Sequence, residues 1–180
     1  CFGGLHYDEM IRCGADTILN ESNPASRTQA PGGVALNVAR TLAALGNTVG
    51  LSSRVGADRE GVELLDYVTR LGITAVSIQT DNAHATARYT AVLDHTSNLI
   101  LGLADMGIYD DFKPAHWQHS RQDIEHWDYW CVDTNLPVDT LHYLASEKAA
   151  QMLFGVVTSP AKAHRLRQLL PMLDAIFVNR

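Results

Sequence analysis

The sequence has no basic run, no apolar stretch near membrane-spanning length and no paired cysteines, and each absence removes a class of function. The formal net charge is −6, with acidic and basic residues interspersed, so nothing is built to neutralise a phosphate backbone and no nucleic-acid partner is expected. A helix needs about 20 consecutive apolar residues to cross a bilayer, and none of the apolar runs approaches that length. No charged segment followed by an apolar core opens the chain, so no secretory leader is read and a cytoplasmic protein is expected. Cys1, Cys13 and Cys131 are odd in number and scattered, which fits free thiols better than a disulfide framework or a paired-cysteine zinc site. His116, His119 and His126 gather around Trp117 and Trp127. They lack the His-Glu-x-x-His spacing that converges ligands, so surface histidines and no metal site are expected. A dinucleotide fingerprint is missing too: Gly3 and Gly4 have no third glycine or helix start behind them, and Gly32 and Gly33 come too late in the chain.

What is present is a chain of 180 residues, 46% hydrophobic, long enough to bury a full core as one domain or a large piece of one. Short apolar runs at TVGLSS, TAVSIQ, DYWCVD, QMLFGVV and AIFV read as buried strands. Amphipathic helices are predicted between them at Ala35 to Leu45, Arg59 to Leu71, roughly Val138 to Ala150 and roughly Ala161 to Leu170. Gly46 and Gly72 stand just past two of these, where a left-handed cap takes glycine. The alternation gives an α/β fold with crossover helices on the sheet.

Two segments break the alternation. Asp8 to Pro31 has no helical period, and ATARYTAVLDHTSNLILGLAD holds two extended runs around the turn residues His95 to Asn98. Together, at about 8–31 and 85–106, they are expected to form a small β flap within the same domain. The first residues, CFGGL, and the last, DAIFVNR, both read as strand ends, so 1–180 is expected to be the N-terminal part of a longer domain.

In APGGVALNVARTLAALG two glycines precede a helix that carries Asn37 in its first turn. Glycine lets a ligand approach the main chain, the helix start offers free N–H groups, and an amide there can both donate and accept, which suits sugar hydroxyls. From Gly32 the chain runs Gly-Gly-Val-Ala-Leu-Asn-Val-Ala, then reaches Gly46, Gly56 and VGADREG, Val55 to Gly61. This pattern is similar, position for position, to the N-terminal signature of the ribokinase-like (PfkB) carbohydrate kinases.

The resemblance covers essentially the whole chain and implies a ribokinase-like three-layer sandwich with a mainly parallel central sheet, plus a small β-sheet lid. It implies that GGLHYDE holds the first strand, with Asp8 as the carboxylate that accepts from sugar hydroxyls. Gly32 and Gly33 would lie against the sugar and Asn37 would bind a hydroxyl. Tyr89, Ala91 and Leu103 of the lid would face the substrate, Asp105 would touch a base edge, and Asn135 would come near substrate or phosphate. FVNR resembles the opening of an Asn-x-x-Glu motif that places Asn179 near the triphosphate of ATP, with the glutamate that organises Mg2+ falling after Arg180. The Gly-Ala-Gly-Asp motif that carries the base is not in the sequence, so no catalytic residue is assigned and the base aspartate is expected beyond Arg180.

The wording of the lid, TARYTAVLD and ADM, resembles pseudouridine kinases more than ribokinases or fructokinases. Other sugar or nucleoside specificities, and a nucleoside-binding module without catalysis, stay open. Three departures bear on specificity: His6 stands where asparagine is usual, Val34 where ribokinases carry lysine, and TSPAK where an Asp-Pro is common. Lids of this family often pair between subunits, so a homodimer through the flap is expected.

Overall fold

The computed structural model describes residues 1–14, 17–118 and 120–178. In chain order the elements are β1 (His6–Cys13), β2 (Ala25–Gly32), α1 (Val34–Ala44), β3 (Gly50–Leu51), β4 (Arg54–Gly56) and α2 (Arg59–Arg70). Then follow β5 (Thr74–Ala75), β6 (Gln79–Asp81), β7 (Arg88–Leu93), β8 (Leu99–Asp105) and three single-turn helices, α3 (Gly107–Asp110), α4 (Ala115–Gln118) and α5 (Arg121–Ile124). The last are β9 (Tyr129–Asp133), α6 (Val138–Glu147), β10 (Met152–Val156), a 3-10 helix over Pro160–Met172 and β11 (Ala175–Phe177). None of the described helices is long and apolar enough to cross a membrane.

The central sheet is parallel. β11, β10 and β9 pair in that order, β3 pairs β5, and Phe2 bridges the two groups through Val132 and Ser52. The first strand expected in GGLHYDE is therefore reduced to this bridge. Gly3 turns away at φ 144°, and the extended run that starts at His6 pairs instead in the flap.

Strand alternation sends Trp130, Val132 and Leu153 to one face of this sheet. There they pack with Leu141 and Leu144 of α6 and Leu166 and Leu169 of the 3-10 helix. Leu51 takes the other face with Ala35, Leu36 and Ala39 of α1 and Leu64 and Val68 of α2. Helices on both faces of a parallel sheet make the three-layer sandwich. Beyond α1 the second face stays partly uncovered. A groove of about 780 Å³ runs there between Val38 and Leu42 and the strand residues Tyr129, Cys131, Phe154 and Phe177.

The helix ends follow from local chemistry. Gly46 at φ 86° closes α1, with the Gly46 N–H donating to Ala43 O and the Asn47 N–H to Leu42 O, a reciprocal pair that only a left-handed residue allows. Two expected helices differ. α6 stops at Glu147, where Lys148 turns extended. The segment expected as an α-helix at Ala161 to Leu170 is a 3-10 helix with Pro171 inside it. Its buried leucines, Leu166 and Leu169, are three apart, the 3-10 repeat, and Pro171 offers no N–H to an α-helical ladder.

The flap is a four-stranded mixed sheet in the order β2-β1-β7-β8, with β1 and β7 parallel and both outer pairs antiparallel. Its hairpin turn is held by Asp94, which accepts from Thr96 and Asn98. The base of the flap is clamped by Asp58. This residue caps α2 by accepting the Gly61 N–H at 2.8 Å and also accepts from the Thr86 N–H at 2.7 Å and hydroxyl at 2.6 Å. Burial pulls the Asp58 carboxyl upward, but the hydrogen bonds from Thr86 and Gly61 outweigh it and hold it below the usual carboxylate range. Losing the cap and orphaning the Thr86 N–H together cost about 2 kcal/mol. Chemical denaturation of Asp58→Ala is expected to show that loss at pH 7. Because the native value is depressed, the difference from wild type holds above the unfolded carboxyl value, about pH 4, and shrinks as pH falls through the native one.

Candidate functional site

The site is built where β1, β2 and the start of α1 meet the carboxyl end of β9. Gly33 occupies the position before α1 at φ 104°, ψ 138°. A Cβ there would stand 2.2 Å from the Gly4 carbonyl oxygen, so glycine is required twice over, by backbone angle and by space. Gly32 yields to a different neighbour: its missing Cβ would fall 2.1 Å from Asp8 Oδ2. Asp8 on β1 therefore lies directly over the glycine pair, as the register Asp8 to Ala30 and His6 to Gly32 requires.

With no side-chain cap, the first N–H groups of α1 find main-chain and carboxylate partners. Ala35 N–H donates to Asp133 Oδ2 at 2.9 Å and Leu36 N–H to Gly4 O at 3.2 Å. Asn37 follows in the first turn, and its side-chain Oδ1 is buried without a hydrogen-bond partner. A buried acceptor left unpaired costs about 1–3 kcal/mol. His6 presents a second such atom. Its Nε2 lies 3.3 Å from Asp8 Oδ1, while its buried Nδ1 has no partner.

Asp133 organises the floor. Its carboxylate is fully enclosed and accepts from Gly4 N–H at 2.8 Å and Ala35 N–H at 2.9 Å on one oxygen, and from Asn135 N–H at 2.7 Å on the other. Burial pushes the carboxyl above its usual range, and the three N–H donors pull the other way. Asn135 is thereby fixed beside Gly4, its Nδ2 only 2.6 Å from where a Gly4 Cβ would stand. Tyr109, from α3, clips the same loop: its hydroxyl donates to Leu5 O at 2.8 Å and accepts Leu5 N–H at 2.9 Å. Burial pushes the phenol above its ordinary value.

The nine substrate residues expected from the sequence do not all meet. Asp8 abuts Gly32, Gly33 abuts Gly4, Gly4 abuts Asn135, and the Asn37 N–H donates to Gly33 O, so these five are linked in turn through Gly4. Tyr89 pairs with Asp8 and Ala91 with Met10 across β1 and β7, so both lie on the Asp8 face of the lid. Leu103 pairs with Thr90 and Asp105 with Arg88 across β7 and β8, which puts them on the opposite face, the one that carries Glu9. The expectation that Leu103 shares a surface with Tyr89 is corrected by this register, since directly paired residues point the same way. Asn179 lies outside the described residues, as does His119. Trp117, around which the histidines gather in the sequence, is fully buried and donates its Nε1–H to Ser52 Oγ at 2.7 Å. Among the described residues no group of three or more His, Cys, Asp or Glu is placed to hold a metal.

Sequence reasoning missed Asp133 and Tyr109. The visible signal for the first was a lone carboxylate at the end of the apolar run YWCVD. Tyr109 gave none, because its partner Leu5 is far away in sequence.

Comparisons with known proteins give the family and the fold. The family described as pfkB family carbohydrate kinase matches residues 6–180. Pseudouridine kinase of Escherichia coli (strain K12) is 27% identical over 160 residues, covering 89% of this chain and 51% of that protein. A carbohydrate kinase structure from Agrobacterium tumefaciens superposes with a TM-score of 0.87 at 32% identity, over 98% of this chain and 58% of that one. The structure of Arabidopsis thaliana ribokinase complexed with ribose and ATP gives a TM-score of 0.79 at 14% identity, over 97% of this chain and 57% of that one, a likeness of fold alone. The chain thus spans about half the length of these relatives. With the family model matching nearly the whole chain, the chain belongs to the pfkB family of carbohydrate kinases.

Proposed function

We propose that this chain supplies the acceptor half of an ATP-dependent kinase that phosphorylates a hydroxyl of a sugar or nucleoside, with pseudouridine as the candidate substrate. The observation that carries the reading is Asn37 Oδ1, buried and unpartnered in the first turn of a helix entered through two glycines. A ligand hydroxyl donated to that oxygen would remove the cost of leaving it bare. Asp8, partly open to solvent beside Gly32, takes a second hydroxyl, and Tyr89 on the same lid face offers a ring for stacking against a base. The pseudouridine assignment is supported by the similarity to the Escherichia coli pseudouridine kinase.

ATP, with Mg2+, would supply the phosphoryl group. The described residues form no holder for that metal, and the residues that take the hydroxyl proton and grip the nucleotide are proposed to lie beyond Arg180. What these residues contribute is position. Holding the hydroxyl at a fixed place and angle under the lid is a large part of phosphoryl-transfer catalysis, which depends on alignment and electrostatics. We also propose pairing of two copies through the lid. β8 is an edge strand, and Leu99, Ile100, Leu101 and Leu103 on it are exposed.

Full-length protein with ATP, Mg2+ and pseudouridine is expected to turn over. Asp8→Ala and Asn37→Ala are each expected to lower kcat/KM by about 10- to 100-fold, the worth of a hydrogen bond to a charged or buried group. Unchanged kinetics in both variants would overturn the site, and nucleoside binding without turnover would favour a binding module. For the pairing, Leu101→Lys with Leu103→Lys is expected to elute as a monomer in size exclusion; an unaltered dimer would remove the lid as the interface.

A further inference from the structure

Behind Asn135 stands a cation that the sugar-binding residues do not account for. Lys162, near the start of the 3-10 helix, donates from Nζ to Asn135 Oδ1 at 2.8 Å. Among the described residues this is its hydrogen-bond acceptor, and no carboxylate forms a salt bridge with it, which leaves two N–H groups of the ammonium uncommitted. Its neighbour Arg165 is placed differently, with its guanidinium on the carbonyl oxygens of Thr134, Asn135 and Leu136 at 3.4, 3.0 and 3.2 Å and near Asp110. Arg165 is therefore consumed in fastening the loop after β9, whereas Lys162 is held by a single amide.

That amide leads directly to the site. Asn135 Nδ2 occupies the space above Gly4, where a Cβ would stand 2.6 Å from it and 3.4 Å from His6 Nδ1, the unpartnered ring nitrogen. Gly4 in turn lies under Gly33. The two ends of this arc differ in hydrogen-bonding sense. Asp8 and Asn37 Oδ1 offer acceptors, which suit hydroxyl donors, while a lysine ammonium offers only donors. A hydroxyl must turn its proton away to accept from such a group, whereas an oxygen with lone pairs and no proton, a carbonyl or a phosphate oxygen, is its unconditional complement. Burial, with Arg165 adding repulsion, pushes the Lys162 ammonium below its ordinary range. The group is thus partly stripped of water, a state in which a hydrogen bond to an incoming oxygen counts for more.

We propose that Lys162 is a specificity-determining residue whose ammonium, positioned by Asn135, donates to an acceptor-only oxygen of the substrate at the end of the site away from Asp8. This rests on the sugar or nucleoside reading above and deepens it, because it makes the site discriminate substrates that carry such an oxygen from the bare sugar.

Calorimetric binding to the full-length protein tests it with three ligands: ribose, ribose 5-phosphate and pseudouridine, the last carrying base carbonyls. Lys162→Met keeps the aliphatic stem and removes the donors. It is expected to weaken one of the two oxygen-bearing ligands by about tenfold or more, the worth of a charge-assisted hydrogen bond, and to leave ribose unchanged. Which ligand is weakened identifies the oxygen as carbonyl or phosphate, and Lys162→Arg is expected to recover part of the loss. Equal effects on all three ligands, or no effect, overturn the proposal, since a purely structural lysine cannot single out one ligand. If Lys162→Met does not fold, Asn135→Ala, which frees the lysine from its tether, must narrow the same preference; an unchanged preference overturns the proposal. Wild-type protein that binds none of the three ligands overturns the sugar or nucleoside reading and this inference with it, whereas wild-type binding with an indifferent Lys162→Met overturns this inference alone.

Discussion

A single enclosed carboxylate, Asp133, joins the three segments from which the site is made. Burying a charge is costly, and here three backbone N–H groups from Gly4, Ala35 and Asn135 offset that cost. The arrangement explains both glycines of FGGL. A Cβ on Gly3 would stand 2.3 Å from Asp133 Cγ, and one on Gly4 would stand 2.6 Å from Asn135 Nδ2, so one glycine makes room for the carboxylate and the other for the amide it orients. The start of α1, a partial positive charge, is anchored on the same oxygen as Gly4, which sets where Gly33 and Asn37 are presented.

The lid rests on this floor from one side only. Its Glu9 face is bound to the body through Arg88, which bridges Glu9 and Glu60, and through the Tyr7 hydroxyl donating to Glu63. Asp58 fastens the base at Thr86. Among the described residues the Asp8 face has no comparable ties, and it carries Tyr89 and Ala91, so the sheet is held from behind.

Much of this was legible in the sequence because it is local. The alternation of apolar runs and amphipathic helices gave the layers, Gly46 and Gly72 marked helix ends, and Gly32 and Gly33 marked the start of α1. What failed was non-local. Leu103 was expected to share a surface with Tyr89, but alternation orders residues only within β8, while the face is decided by its register with β7. The turns at α3 to α5 are too short to show a period, although Tyr109, Phe112 and Trp117 among them are core residues. Asp133 and Lys162 act through partners far away in the chain, and a sequence shows such pairs only once the sheet has brought them together.

The account stands on Asp133 as the joint of the site, and amide hydrogen exchange at Gly4 and Ala35 reports on that joint directly. In Asp133→Asn the carboxamide cannot accept at both positions, so one side of the joint faces an N–H with an N–H. Gly4 and Ala35 share one carboxylate oxygen and Asn135 takes the other, so the account predicts exchange faster by at least about tenfold either at Gly4 and Ala35 or at Asn135, whichever side the NH2 faces, in line with a loss of about 2 kcal/mol or more for an orphaned buried donor. Exchange at Gly4, Ala35 and Asn135 indistinguishable from wild type would contradict it.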